Sequence, residues 1–556
     1  MCCNIDNSDG CVQYKGQMFS TRIDVFDEDI KLSLDDSQPI YYESELCQSN
    51  QGYYYHKSEM DPKENPQHLL NSKSLGTFLV FSVYILFSVL YNVFFHPLSK
   101  FPGPLWARIT RIPYWIANMK GEQVFFMHRL HEEYGPVVRY SPNELSYTDA
   151  QAWRDICGYT KGRSENLKAV EFHNQPSNGT PYILTVNTAD HARIRRLFSP
   201  VFSERYLKQH EPCFRKYVDL LMTRLHETEG RPVDMTEKFN LTTFDIISDF
   251  IFGEPLGLLE SNKYSSWLKI TFDSVRFLPF VQVIEYYPWL SKAFKLVEPR
   301  HVKAMKASHF RYSADKVDQR LKREPDQPDL WSFVMSAAPG NGLALNEMHV
   351  NAEFLIMAGA ETTGTLLSGV LYLLLQNPTK LERLNNEVRE QAAAVGKLSL
   401  ENLAGLKYLN ACIQEALRLY PPVPVGIPRV VSPDNGGQII CGKWVPSGTR
   451  VCVHHYATYW SSMNFRNPDH FSPERWLGEN DTYRDDRRDT FQPFSFGPRN
   501  CVGQNMAWHE MRLVLGSLVS TFDIELCEES RRWLDQKVYA LWEKRPLLVR
   551  LTPMAG

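Results

Sequence analysis

A single cysteine caught between two glycines near the end of the chain constrains this sequence more than any other feature. The stretch runs Phe494-Ser-Phe-Gly497-Pro-Arg499-Asn-Cys501-Val-Gly503, and an apolar run of helical character follows from Val502 to Thr521. A thiolate at position 501 would sit near the N-terminus of that helix, where free backbone N–H groups and the helix dipole favour negative charge. Gly497 and Gly503 permit the backbone to pass very close to a flat ligand, and Arg499 can meet an anionic group on it. An isolated cysteine is ordinarily a small buried hydrophobe. Here Phe494, Gly497, Arg499, Cys501 and Gly503 stand together in one short loop, and that combination points to a ligand rather than to packing.

A haem iron held by a cysteine thiolate suits this loop, because the sulfur pushes electron density toward the iron and favours O–O cleavage. The pattern Phe-x-x-Gly-x-Arg-x-Cys-x-Gly resembles the haem-binding signature of the cytochrome P-450 family. The resemblance implies haem b with Cys501 as axial iron ligand, in a fold that is mainly α with a small β region. A second motif lies upstream. Glu347 to Gln376 reads as one long helix, low in charge, with Ala358-Gly359-Ala360-Glu361-Thr362-Thr363 at its middle. A buried helix should avoid Gly, Glu and paired Thr there, and such local violations mark candidate functional sites. The string resembles the family's Ala/Gly-Gly-x-Asp/Glu-Thr motif, with Glu361 standing where Asp is common. The resemblance implies a helix locally opened into an oxygen pocket, with Glu361 and Thr362 relaying protons. Read alone, it is a helix packed through small residues.

Asp190-His-Ala-Arg-Ile-Arg195 opens a further helix, with Asp190 as its expected cap. His191 and Arg195 are four apart and share a face. By resemblance they serve the haem propionates, His191 replacing the more common Trp; read alone they belong to a solvated basic helix. After the apolar turn Val423-Pro-Val-Gly-Ile-Pro, Arg429 stands where a propionate-binding arginine is common. Glu415 and Arg418 are i,i+3 partners on an amphipathic helix ended by Pro421 and Pro422. If buried, that pair needs a third partner, and Arg475 in Pro473-Glu-Arg475-Trp supplies it. The family's Glu-x-x-Arg triad implies that Glu415, Arg418 and Arg475 are scaffold for the cysteine loop.

At 556 residues the chain exceeds an average domain, though some folds grow larger around one cofactor. A net charge of -3 argues against a nucleic-acid partner. The 11 cysteines form no CxxC pair and no regular framework, which suits reduced thiols on the cytosolic side of a membrane. Residues 1–74 carry an acidic excess, including Asp24, Asp27, Glu28 and Asp29, and read as a disordered extension without a cleavable signal. Met60 is read as the start of translation, making residues 1–59 an over-extension of the gene. Leu75 to Phe95 is uncharged and spans roughly 31 Å as a helix, enough for a transmembrane anchor. Lys100, Arg108, Arg111 and Lys120 follow it, placing the rest in the cytosol by the positive-inside rule. Residues 96–104 then form a proline-rich hinge and 105–556 the catalytic domain, single-pass in the endoplasmic reticulum membrane.

From Ile109 onward the pattern is mostly amphipathic helices. Val137-Val-Arg-Tyr-Ser and Glu144-Leu-Ser-Tyr alternate as strands, and the segments holding Cys441 and Cys452 read as the rest of one small sheet. Residues 160–186 form a long loop, which in the family covers the substrate. Helices between 205 and 310 break near Gly230, Gly253, Gly257 and Pro279. The aromatic stretch from Phe277 to Trp289 reads either as a membrane-dipping, substrate-admitting surface or as core. No Gly-x-Gly-x-x-Gly unit follows a strand, so electrons must come from a separate partner. The family implies NADPH-cytochrome reductase, with a cytochrome b-type donor as a further candidate, and Arg499 or Arg512 as docking cations. The implied function is a microsomal monooxygenase acting on a small lipophilic substrate. The hinge and the Glu361-Thr-Thr helix resemble fungal secondary-metabolism enzymes of the isotrichodermin hydroxylase type, implying a terpenoid, polyketide or alkaloid substrate. Two other readings stand beside it: a redox-neutral haem-thiolate isomerase or dehydratase, and a non-catalytic haem sensor. Neither needs an acid–threonine relay.

Overall fold

In a computed structural model of the protein, the described residues are 66–554 apart from 173–177, 266, 269–271, 273–274, 325–327 and 339. The expected start at Met60, and the expected disorder of residues 1–65, lie outside them. Contacts divide the chain into a unit ending at Ser82 and a much larger one from Val83 onward. Helix α1 (Pro66–Leu90) leads into a π-helical turn, Tyr91–Phe95. Residues 66–74, assigned from sequence to the disordered extension, are therefore helical. Proline is well placed at a first helical position, and no breaker intervenes before the apolar run, so the helix propagates backward from it. Gly76–Phe95 has a mean hydropathy of 2.2 and no buried residue, and is long enough to cross a bilayer.

The larger unit is mainly helical with small sheets, as the sequence implied. Four helices besides the central one position the site: α2 (Thr188–Phe198), α3 (Met235–Phe252), α4 (Arg300–Leu321) and, after α5 (Leu345–Leu375), α6 (Lys407–Leu419). A last long helix, α7 (Gln504–Thr521), follows the cysteine loop. The central α5 packs against α3, α4, α6 and α7. Its length and apolarity would also suit a membrane span, but 72% of that stretch is buried, which makes it a core helix. Small residues bring α3 close: a Cβ on Gly359 would meet Ile247 Cδ1 at 2.8 Å. Gly359 therefore has a packing reason, apart from any opening of the helix.

The main sheet has the order β1 (Val137–Ser141), β2 (Glu144–Tyr147), β4 (Arg450–Val453), β3 (Arg429–Val430), with β2 and β4 parallel and the other pairs antiparallel. Gly437–Ile440 and Lys443–Pro446 pair only with each other. The expectation that they continue the main sheet is corrected accordingly. Cys441 lies in their turn, not in a strand. Its φ of 47° and the 75° of Gly442 make the two-residue connection that matches strand twist. The hinge is pinned to β1, since Arg139 N–H donates to the Pro102 carbonyl at 2.7 Å, and the Arg139 guanidinium holds the turn before the hinge through the Asn92 carbonyl at 3.0 Å.

The aromatic stretch lies in two helices, Leu278–Tyr286 and Pro288–Val297, which have an exposed apolar face and a packed one. Outward, Phe280, Trp289 and Leu296 are 51%, 69% and 88% exposed. Inward, the Tyr286 hydroxyl donates to Glu144 Oε1 at 2.8 Å, and Glu144 is paired with buried Arg111. The Arg111 guanidinium lies over Tyr286, Trp115 and Tyr114 at 4.3, 4.4 and 4.5 Å, so this face is core.

Candidate active site

One cavity of about 440 Å³ lies between α5 and the cysteine loop, within the range of small-molecule sites. Phe494, Arg499, Cys501 and Gly503 line it from one side and Gly359, Glu361 and Thr362 from the other. His191, Arg195, Arg429 and also Lys168 gather at one rim, while Ile183, Ile247, Phe354 and Leu541 supply apolar wall. The sequence-chosen residues of the two motifs thus meet in one chamber.

The loop holds its own shape. Cys501 N–H donates to the Phe494 carbonyl at 2.9 Å, and Asn500 N–H to that of Gly497 at 3.1 Å. Arg195 reaches from α2 to bind the Asn500 carbonyl (2.6 Å) and side-chain oxygen (2.9 Å). Burial pushes the Cys501 thiol pKa up, against the opposing Gly503 N–H and the charges of Arg195 and Lys168. The Cys501 side chain is open to the cavity that it lines though it lies inside the fold, and a thiolate facing that apolar chamber wants a cation, which a metal supplies. The two glycines have different reasons. Gly497 has φ 78°, and a Cβ on it would lie 2.0 Å from the Cys157 carbonyl oxygen. Its role is close packing on the helix Ala150–Cys157, which corrects the flat-ligand reading for that residue. Gly503 has nothing nearer than Phe202 Cε1 at 3.9 Å, so room for a ligand remains there.

The cap of α2 is Asn187, not Asp190: its Oδ1 accepts the Asp190 N–H at 3.0 Å. Asn is among the strongest cap residues, and Asp190 turns to Arg193 instead. His191 is buried, and desolvation plus the Arg499 charge hold it down at about 4, so its imidazole is neutral. Arg499 donates from Nε to Glu165 Oε1 (2.8 Å) and from Nη2 to the Val186 carbonyl (2.9 Å). Its Nη1 is buried without a hydrogen-bond partner among the described residues. Arg429 donates to the Asn166 carbonyl at 2.9 Å and lies 3.5 Å from Glu165 Oε1. Burial would raise the Glu165 pKa, but Arg499 and Arg429 outweigh it and hold the carboxylate below its ordinary value. Lys168 is pushed down to about 7 by burial, Arg429 and Arg499. Sequence reading missed both Glu165 and Lys168, which sit in a loop without periodic signal.

At the centre of α5, Thr362 and Thr363 donate their hydroxyls to the carbonyls of Ala358 (2.7 Å) and Gly359 (3.0 Å). Thr243 of α3 donates to the Ala360 carbonyl at 3.0 Å. The helix runs unbroken through this stretch, so the local opening implied by the resemblance is absent here, and the threonine hydroxyls bond back to carbonyls of a closed helix. Glu361 Oε1 accepts from Lys544 Nζ at 2.6 Å, and Lys544 also donates to Thr365 at 2.8 Å. Glu361 Oε2 is buried with no partner among the described residues. Lys544 was not singled out from sequence, where a lysine beside a turn reads as exposed. Glu510 was also missed, although it interrupts the buried face of α7 between Met506 and Leu513. Burial pushes it up to about 8, against an opposing bond from Thr363.

The scaffold residues meet as implied, with one addition. Arg418 grips Glu415 with Nε (3.0 Å) and Nη2 (2.8 Å), and Arg475 Nε reaches the same carboxylate at 2.9 Å. Asp486 pairs with Arg475, so two cations face two anions, all but excluded from solvent. The docking cations fare differently. Arg499 is buried, and Arg512 is stacked on Trp508 with its Nε bonded to Asn410 Oδ1 at 2.7 Å.

The fold, mainly helical with small sheets, sets a thiol, a buried acid and a threonine around one apolar chamber, with cationic side chains in its lining. The chain belongs to the cytochrome P450 family, whose model matches residues 101–549. It is 42% identical to the cytochrome P450 monooxygenase efuB of Hormonema carpetanum over 86% of this chain and 95% of the relative. It is 43% identical to the cytochrome P450 monooxygenase FUM2 of Gibberella moniliformis over 83% and 99%. With averantin hydroxylase of Dothistroma septosporum it shares 42% identity over 85% and 90%. With the family come the monooxygenase class and a haem-thiolate cofactor. The chamber fits that cofactor: Gly503 leaves room beside Cys501, and the orphaned Arg499 Nη1 faces the rim where anionic groups would lie.

Proposed function

We propose that the protein is a microsomal monooxygenase that inserts one oxygen atom into a lipophilic small molecule. The observation that carries this reading is the meeting of Cys501, Glu361 and Thr362 on one apolar cavity. Cys501 would hold haem b through its thiolate, and Arg499, Arg429, Arg195 and His191 would meet its carboxylates, His191 donating as a neutral imidazole. Phe494 and Gly503 shape the sulfur's side. The bound haem supplies oxygen activation: substrate, O2, two electrons and two protons give hydroxylated substrate and water. Glu361 accepts a proton at its open Oε2 and passes it toward the Thr362 hydroxyl, while Lys544 steadies Oε1. The apolar wall excludes bulk water and orients the substrate. Electrons reach the enzyme from NADPH-cytochrome reductase, with a cytochrome b-type donor as a second source. Gly76–Phe95 anchors it in the endoplasmic reticulum membrane, with the catalytic part in the cytosol.

The substrate is an intermediate of secondary metabolism, of terpenoid, polyketide or alkaloid type; similarity to an averantin hydroxylase supports this assignment. A redox-neutral isomerase or a sensor would leave the Glu361–Lys544 arrangement without a task. The test is reconstitution with reductase and NADPH. Carbon monoxide should give the thiolate-ligated absorbance band on the reduced protein, Cys501→Ala should abolish it, and oxygenated product should appear only with both electron source and O2. A band retained in C501A would overturn the ligand assignment.

A further inference from the structure

The rim of the chamber holds more positive charge than a porphyrin's carboxylates balance. Lys168, Arg195, Arg429 and Arg499 all face it, while His191 is neutral. Ferric iron bound by a porphyrin ring and a thiolate is neutral overall, so the anions brought to this rim are two carboxylates. Lys168, pushed down to about 7, carries about half a charge at neutral pH, so against two carboxylates the three arginines and this lysine leave an excess of between one and two. Glu165 removes one charge of that excess.

Its placement is built, not incidental. Oε1 accepts from Arg499 Nε at 2.8 Å and lies 3.5 Å from Arg429 Nη1, while Oε2 accepts from the Thr188 hydroxyl at 3.1 Å. One carboxylate thereby ties the 160–186 loop to the cysteine loop, to β3 and to the first residue of α2. Positive charge beside a haem favours the reduced iron, and a carboxylate set among those charges opposes it. We propose that Glu165 is a positioning residue that aims Arg499 and Arg429 at the haem carboxylates and, by its charge, makes the iron harder to reduce than the four cations alone would. This rests on the reading that these cations face a porphyrin.

The test is the midpoint potential of the holoenzyme, followed by spectroelectrochemistry. Glu165→Gln keeps the shape and removes the charge. The ferrous form should gain about tenfold at a fixed poise, which is about 59 mV for one electron, and Glu165→Asp should restore the original value. An unmoved potential in a fully haem-loaded E165Q would reduce Glu165 to a brace and overturn the proposal. Should E165Q fail to load haem, Lys168→Gln serves instead. Measured at about pH 6, where Lys168 carries its charge, removing that cation should lower the potential by a similar factor, and no shift there would sink the idea equally. The underlying reading fails separately, if Arg499→Gln releases haem to an apoprotein acceptor no faster than the native protein does.

Discussion

Glu361 is held at one oxygen and open at the other, and that asymmetry separates holding a proton carrier from using it. Replacing Lys544 by Met leaves a buried carboxylate with no cation, a loss worth about 3 kcal/mol or more. Oε1 would then lack the Lys544 donor that fixes it, and the relay would stall. We expect product formed per NADPH consumed to fall by about 10²-fold, of the order associated with one acid–base group, while haem content is unchanged. Glu510 gives a pH signature. Its pKa in the fold, about 8, lies above the ordinary 4.5, so the fold binds its proton more tightly than the unfolded chain does. The resulting stability is fully present below about pH 4.5 and is lost as pH rises through 8. Glu510→Gln should therefore flatten the decline of Tm between pH 5 and 9 and be more stable than the native protein at the upper end. Identical slopes would mean that the carboxyl is ionised throughout. Cys501, Glu361 and Thr362 were legible because their chemistry is written in short local spacing. Lys544, Glu165 and Asp486 were not, because a lone charged residue carries no sign of a partner hundreds of positions away.

Among elements, the ionic cluster beneath the cysteine loop joins α6 to the turns after residue 464, and its balance of two cations and two anions makes it tolerable in a dry interior. Asp486→Ala leaves Arg475 short of an anion. It should cost about 3 kcal/mol or more, measured by denaturant unfolding of the haem-loaded protein, and haem should dissociate earlier in the transition than in the native enzyme. A cost near zero would show that Glu415 alone suffices. The long helices were legible from periodicity, and α5 ends within two residues of its expected limits. Strand partners were not. Whether the Gly437–Ile440 strand joins the main sheet or folds back is decided by the Cys441-Gly442 turn, whose positive φ values no hydropathy pattern reveals. The cap of α2 slipped three residues for a similar reason, since Asn187 and Asp190 are both good caps.

At the scale of the molecule, the exposed span Gly76–Phe95 and the exposed faces of Leu278–Tyr286 and Pro288–Val297 are separate apolar surfaces. Deleting residues 1–95 removes only the first. We expect the truncated protein to retain its haem spectrum and to divide between the soluble and membrane fractions in a detergent-sensitive, salt-insensitive way. Complete release in flotation assays would show that the two helices contribute nothing to membrane association. The uncharged run made the candidate membrane span legible, whereas the two-faced aromatic helices needed coordinates to separate inner rings from outer ones.

Leu541 reaches into the chamber, and three residues later the same short segment presents Lys544 to Glu361. Whatever fills the chamber leans on the segment that steadies the acid. On the proposed role of Glu361, shape recognition and proton supply are thereby geared together: a snug guest should leave the gear meshed, and an ill-fitting one should let it slip, turning reducing power into peroxide instead of product.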